Sequence, residues 1–459
     1  MVNELIKDQY EQRLPILGDY EITVTLDHNP YQFKVEDLFQ MATRINKKRG
    51  FLFVSKVLGK HLAVEPQMPL LVGTLLSMRY MKETYGEMHE LENLVVRALR
   101  GEVDVQETLE QVTKLPVNLQ HQTLFIGFAE TATALGHAVF RNFNSNATYI
   151  HTTRELINEL EPIICFEEEH SHATSHRVYS TNEAVFEQAQ RIVLVDDEIT
   201  TGNTVINIIK TLNERFPHIK HYTIMSILDW RPQEKQDIFN QLEHEWGISI
   251  QFISIVQGHF TLHGAPELVD KKLENATQNK ARIQVLDTKS NNILPYTSTD
   301  ERQKVNNASY LQGTGRFSLT AEMHHELDSQ LLQMAKQLTT LRTTGPALVV
   351  GTGEFMYIPM RIASFMGADV YFQSSTRSPI YPSLDEGYTI SQKWAFDSPE
   401  NNGVVNFLYN LDTYPYTELF LVVERIVNKA ALSELIEQLE TVNIEQIYIL
   451  VLNYGEDTE

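Results

Sequence analysis

The sequence predicts an α/β protein, with a parallel sheet flanked by helices and a second C-terminal α/β domain behind it. Two observations predict this. From about residue 123, short apolar runs suited to buried parallel strands alternate with longer helical segments. After a polar stretch the same alternation resumes. The expected divisions are 1–262 for the first domain with an N-terminal hood, 263–310 for a polar linker or elaboration, and 311–459 for the second domain.

In chain order, residues 20–26 open as a β-like run, and 75–99 carry helical apolar spacing interrupted at Gly86. The strand candidates of the first sheet are 124–126, 147–150, 192–195, 222–228 and 252–256. Those of the second are 347–350, 369–372, 419–423 and 446–452.

The formal net charge is −22, and the longest basic block is Lys47-Lys48-Arg49, so nucleic acid is not an expected partner. No apolar run approaches the ~20 residues of a membrane span. Cys165 is the only cysteine, which leaves no internal disulfide and no cysteine-rich zinc site. The N-terminal segment lacks the pattern of a secretory signal. The expected location is the cytoplasm.

The strongest motif begins with the apolar run 192–195. Asp196, Asp197, Glu198, Ile199, Thr200, Thr201, Gly202, Asn203 and Thr204 follow it, and then a helical pattern. Ligands of open α/β sheets bind beyond the carboxyl ends of the strands. Adjacent carboxylates there suit the vicinal hydroxyls of a ribose. Residues 200–204 turn into a helix whose unpaired N–H groups and dipole favour an anion, and Gly202 lets the backbone approach a phosphate. The plain alternative is a threonine-rich N-cap. The lysine and spacing of a Walker phosphate loop are absent.

The run VLVDDEITTGNT resembles the motif with which type I phosphoribosyltransferases bind 5-phosphoribosyl-1-pyrophosphate (PRPP). The wider chain resembles a bacterial family of tellurite-resistance-associated biosynthetic operons. That family joins an orotate-phosphoribosyltransferase-like domain to a domain named for the tetrapeptide T-R-S-P, here Thr376-Arg377-Ser378-Pro379. The resemblance implies a type I phosphoribosyltransferase-like fold and a transferase of nucleotide-like metabolism. It would act at C1 of PRPP on a base-like acceptor, or in reverse. Mg²⁺ would be held mainly by substrate, with no firm protein ligand set. A second copy of the chain or operon-encoded enzymes would be its protein partners. The alternative is a non-catalytic PRPP sensor or a structural subunit of an assembly.

In type I enzymes a loop after an earlier strand meets pyrophosphate. The matching residues are Gly127, Phe128, Ala129, Glu130 and Thr131, with Arg154 after the next strand. Glu130 would repel pyrophosphate unless a cation intervenes. The plain alternative is a helix start with a dipole-favoured acid; for Arg154 it is an ion pair with Glu155 or Glu159. The stretch 167–177 corresponds to the mobile lid, where His170, His172 or Arg177 would neutralise pyrophosphate or move a proton. A zinc site on His172 and His176, spaced i,i+4 with His170 nearby, and a solvated loop with no role are the alternatives. Lys56, Lys60 and His61 lie in the hood as anion candidates or surface residues, and Trp230 as a base-stacking or core residue.

The second half echoes the first. Each has a strand, a glycine, a glutamate three residues on, a helix, and then a Thr-Arg turn (Thr153-Arg154, Thr376-Arg377). This predicts a degenerate duplicate that lacks the T-T-G-x-T loop; the plain alternative is that any α/β repeat gives strand–glycine–helix patterns. Gly353, Glu354 and Arg377, with Arg316, form its expected ligand site.

Overall fold

Every apolar run expected as a strand coincides with one, the run 369–372 starting one residue ahead of the strand Val370–Ser374. A computed structural model of the chain describes residues 10–45, 50–114, 117–167, 175–268, 281–288, 290–401 and 403–455. The core of the first sheet has the order Ser249–His263, His221–Asp229, Arg191–Val195, Val117–Gly127, Phe143–His151, with all neighbours parallel. These strands bury both faces: Ile192, Val193, Leu194 and Val195 are all fully enclosed. Gly86 ends the helix Gln67–Tyr85 in a left-handed conformation (φ +72°).

The sheet is mixed, which the apolar pattern did not disclose. The far half of Ser249–His263 pairs antiparallel with Tyr20–His28, and that strand with Tyr10–Leu17. At the opposite edge Leu319–Thr320 lies antiparallel against Phe143–His151. Unpaired strand edges invite association, and these added strands cover them.

The second sheet has the order Arg282–Asp287, Gln446–Tyr454, Glu418–Ile426, Ala347–Gly351, Val370–Ser374, again all parallel. Its last four strands repeat the order His221–Asp229, Arg191–Val195, Val117–Gly127, Phe143–His151, strand for strand along the chain. The hairpin Ile164–Glu167/Ser175–Val178 of the first half is matched by Lys393–Asp397/Val405–Tyr409. The tethers match too: Thr153 bridges to Arg177, and Thr376 to Phe407. The expected common strand order is present. One strand breaks the parallel, because the second sheet takes its fifth strand, Arg282–Asp287, from ahead of the repeat.

That strand lies in the polar stretch expected as a linker. The stretch is threaded through both halves: Ser298–Thr299 pairs with Leu156–Ile157 of the first. Lateral hydrogen bonds stabilise it without an apolar signature.

The halves share one apolar core. Leu135 and Val139 of the helix Ala132–Phe140 belong to the same buried cluster as Ile358 and Ile362 of the helix Tyr357–Phe365. On this seam His137 stacks on Tyr357 with centroids 3.4 Å apart, and its Nε2 lies 3.2 Å from His324 Nδ1. Burial and its cationic neighbours push His137 well below the usual histidine range. On the other side of Ala132–Phe140, a Cβ on Gly73 would meet the Ala138 carbonyl carbon at 2.4 Å. We expect Gly73→Ala to destabilise the protein by about 1–3 kcal/mol through overpacking, read as a lower urea midpoint at unchanged slope.

Candidate functional site

The carboxyl ends of the first sheet's strands bring the predicted motif residues together. Asp196 and Asp197 are half-buried beyond Arg191–Val195, and the Asp197 amide donates to Asp196 Oδ1 at 2.9 Å. Their turn is fixed to the neighbouring strand: the Asp197 carbonyl accepts from the amides of Ile227 and Leu228, both at 3.2 Å. Burial and the adjacent Glu198 raise the Asp197 carboxyl above the usual range, and Lys60 partly offsets this.

Gly202 enters the helix Asn203–Arg215 at φ +75° with no side-chain cap. A Cβ there would meet Phe239 at 3.0 Å, so only glycine leaves the turn and its packing undisturbed. The Asn203 amide donates to Thr201 Oγ1 at 3.3 Å, and Lys235 Nζ donates to Asn203 Oδ1 at 2.7 Å. The sequence reading missed Lys235. It places a cation at a helix N-terminus that already favours an anion, and nothing local in the sequence marks it.

The second predicted loop closes beside this one. The Phe128 amide donates to the Val195 carbonyl at 3.0 Å, and the Ala129 amide to Thr152 Oγ1 at 2.8 Å. The Ala129–Glu130 peptide is cis. Lys60 answers the question of what neutralises Glu130. Expected as an anion binder or surface residue, it is 1% exposed and donates to Glu130 Oε1 at 2.6 Å. It also donates to the Gly353 carbonyl at 2.9 Å, with Met356 Sδ 3.6 Å away. Arg154 Nη1 lies 3.6 Å from Glu130 Oε2, and the Arg377 amide donates to the same oxygen at 3.4 Å. Burial alone would raise the Glu130 carboxyl, but Lys60, Arg154 and Arg377 together hold it below the usual range. Arg154 pairs with Glu130 and not with Glu155, which instead meets Arg425 Nη2 at 2.8 Å.

The other predicted residues divide as follows. His170 and His172 lie outside the described residues. Arg177 Nη1 donates to the Arg154 carbonyl at 3.1 Å and so braces the Thr153-Arg154 turn. His176, on the same strand, is buried against Phe166 and meets Thr152 Oγ1 through Nδ1 at 3.0 Å. His61 is buried, and burial, Lys60 and Arg44 push it down to about 3, which leaves it neutral. Lys56 is half-buried and donates through Nζ to the Glu36 carbonyl at 2.6 Å. Trp230 is a core residue stacked on Phe53 at 5.2 Å, among Phe39 and Phe260, and offers no face to a base.

The expected second ligand site is taken up by the protein itself. Glu354 accepts from Thr153 Oγ1 at 2.6 Å and from the Arg154 amide at 2.9 Å, both in the first half. The Gly353 amide donates to Ser375 Oγ at 3.0 Å. Arg316, 1% exposed, pairs with Glu424 at 3.0 Å, and the Leu311 amide donates to the same carboxylate at 3.0 Å. Residues 306–316 thus fill the cleft that corresponds to the first. Nothing in composition marks this, because the partners are far apart in the chain.

Residues 38–259 match a phosphoribosyl transferase family model. Residues 313–439 match the TRSP domain, described as C-terminal to that transferase. No curated protein matches the chain. Among solved structures, the chain is 14% identical to the adenine phosphoribosyl transferase of Trypanosoma brucei in complex with AMP, pyrophosphate and ribose-5-phosphate, over 54% of this chain and 87% of that one (TM-score 0.28). It is 11% identical to the orotate phosphoribosyltransferase of Mycobacterium tuberculosis with Fe(III) dicitrate, over 49% and 91% (TM-score 0.24). It is 13% identical to the same enzyme with PRPP, over 42% and 89% (TM-score 0.18).

Lys60 and Glu400 yield predictions. Removing Lys60 leaves a buried carboxylate without its main partner. We therefore expect Lys60→Met to cost about 3–5 kcal/mol in urea unfolding. A concurrent Glu130→Gln should restore much of that loss. In the TRSP half, Glu400 Oε1 accepts from Thr352 Oγ1 and the Glu424 amide, both at 2.9 Å. Burial, Glu424 and Glu155 push Glu400 up to about 8. The folded chain therefore holds a proton that the unfolded chain releases near pH 4.3. Its contribution to stability falls as pH rises from there to about 8. We expect Glu400→Gln to raise the melting temperature more at pH 8 than at pH 5.

Proposed function

We propose that the first half transfers a phosphoribosyl group at C1 of PRPP to a base-like acceptor with release of pyrophosphate, or runs the reverse reaction. The observation that carries this is the juxtaposition of the Asp196-Asp197 pair, the Gly202 turn and the Glu130 loop at one end of one sheet. The family match over residues 38–259 supports it.

In this reading Asp196 and Asp197 accept hydrogen bonds from the ribose hydroxyls and stabilise positive charge as the C1–O bond loosens. Residues 200–204 and the helix N-terminus, with Lys235 beside them, hold the 5′-phosphate and convert binding energy into orientation. The Glu130 loop and Arg154 face the pyrophosphate. The C1–O bond breaks with its electron pair on pyrophosphate, and a lone pair of the acceptor forms the new bond to C1. The acceptor's displaced proton passes to the departing pyrophosphate.

Mg²⁺ fits this end of the sheet, because the Asp197 carboxyl is raised by burial and by Glu198, a repulsion that a cation relieves. When bound with substrate it would neutralise pyrophosphate charge, and Asp196 and Asp197 are the residues that would face it. The hairpin ending in Ser175–Val178 would cover the cleft and exclude water, which competes with the acceptor. A cytoplasmic setting suits this chemistry, and no described helix is long and apolar enough to cross a membrane.

The test is calorimetric titration of Mg²⁺–PRPP into the wild type and into Asp196→Asn/Asp197→Asn. The wild type should bind, and the double variant, with an unchanged circular dichroism spectrum, should lose at least tenfold in affinity. A folded wild type that binds no PRPP would overturn the proposal.

A further inference from the structure

The two half-sites are built by exchange. Glu130 and Glu354 occupy the same place in their respective strand–glycine–helix loops, and each reaches across to the Thr-Arg turn of the opposite half. Glu130 Oε2 accepts from the Arg377 amide at 3.4 Å, and Glu354 Oε1 from the Arg154 amide at 2.9 Å. Both turns are held from behind in the same way. Thr153 exchanges backbone hydrogen bonds with Arg177 at 2.8 and 2.9 Å, and Thr376 with Phe407 at 3.0 and 2.7 Å.

The consequence is that an arginine from each half stands beside Glu130. Arg154 Nη1 is 3.6 Å from its carboxylate, and the Arg377 charge also acts on it. Arg377 is half-buried as a residue, and its guanidinium makes no hydrogen bond or ion pair among the described residues. Partly desolvated guanidinium groups are normally paired, and an arginine fork matches phosphate oxygens in geometry. Lys60, bonded to Glu130, is also close enough to Asp197 to favour its ionised form. The group beside Glu130 is therefore part of the same cleft as the ribose carboxylates. In the TRSP half the corresponding strand end is occupied by residues 306–316, through Leu311 and Arg316 on Glu424, whereas Arg377 is tied to the first half through Glu130.

We propose that Arg377 of the TRSP tetrapeptide belongs to the phosphoribosyl transferase cleft. There it and Arg154 form the two prongs of a diphosphate clamp shared between the halves. Glu130 spaces the prongs in the free protein while Lys60 keeps that carboxylate from repelling the ligand. Glu354 is a positioning residue, because it fixes the backbone of the Arg154 turn. The clamp rests on the reading of this cleft as a PRPP site, and its test separates the two.

The probes are inorganic pyrophosphate with Mg²⁺, and ribose 5-phosphate, each titrated into the full chain. Wild type is compared with Arg377→Gln, which is similar in length and uncharged, and with Arg377→Lys, which keeps the charge without the fork. Arg377→Gln should weaken pyrophosphate binding about tenfold or more, as expected for loss of a charge-assisted hydrogen bond. Its affinity for ribose 5-phosphate and its melting temperature should stay at wild-type values. Arg377→Lys should fall between the two in pyrophosphate affinity, and it carries the test if the Gln variant does not fold. Pyrophosphate affinity equal to wild type in the folded variants would overturn the clamp. So would a wild type that binds no pyrophosphate, or a parallel loss of both ligands. Pyrophosphate binding that depends on Arg377, in a chain with no affinity for ribose 5-phosphate, would leave the clamp standing and remove the ribose reading.

Discussion

Lys60 and Glu130 are both removed from water, and their contact joins three separate parts of the chain at one point. The lysine comes from the hood, the glutamate from the loop after Val117–Gly127, and the Gly353 carbonyl that shares the ammonium from the TRSP half. Desolvating two charges costs several kcal/mol each, and the attraction offsets this only where the remaining hydrogen-bonding capacity is used. Here the ammonium has further partners in Gly353 and Met356, and the carboxylate in Arg154 and the Arg377 amide. The contact adds to other ties between the hood and the second half, among them the Val64–Phe372 and Arg44–Ile380 bridges. The same pairing offsets the charge of the acid in this loop.

The halves share strand order, hairpin placement and turn geometry, yet among the described residues the carboxylate pair and the glycine turn into a helix occur in the first cleft alone. In the first, Asp196 and Asp197 are followed by a glycine turn into a long helix. In the second, Glu424 and Arg425 end the corresponding strand, and the protein itself provides their partners. Arg425 is fully buried, donates to the Ala308 carbonyl at 3.1 Å and to Tyr310 Oη at 2.6 Å, and pairs with Glu155. Burial would raise Glu155, but Arg425 and Arg316 hold it down to about 2. Charges that a ligand would otherwise meet are satisfied internally, and the second half becomes a wall of the first cleft.

Much of this was legible in one dimension. The apolar runs marked the strands because buried parallel strands must be apolar on both faces. The run from Asp196 to Thr204 marked the cleft because strand end, carboxylates, glycine and helix start are consecutive. The echo of Glu130 and Thr153-Arg154 in Glu354 and Thr376-Arg377 marked the repeat. What stayed open depended on partners. Trp230, open to a stacking or a core reading, is a core residue because Phe53 and Phe260 close on it, and the Glu354 carboxylate, expected in a second ligand site, is taken up by the Thr153-Arg154 turn.

The sequence by itself determined the two α/β sheets, the position of the phosphate-type turn and the pairing of carboxylates beside it. Those features rest on neighbours along the chain and on the period of burial. Only the tertiary structure decided which charges neutralise which, that the described part of the polar stretch 263–310 pairs with both halves, and that the TRSP turn bonds to the Glu130 loop. Electrostatic pairing and lateral strand pairing join residues hundreds of positions apart, and neither imposes a local pattern that a linear reading detects.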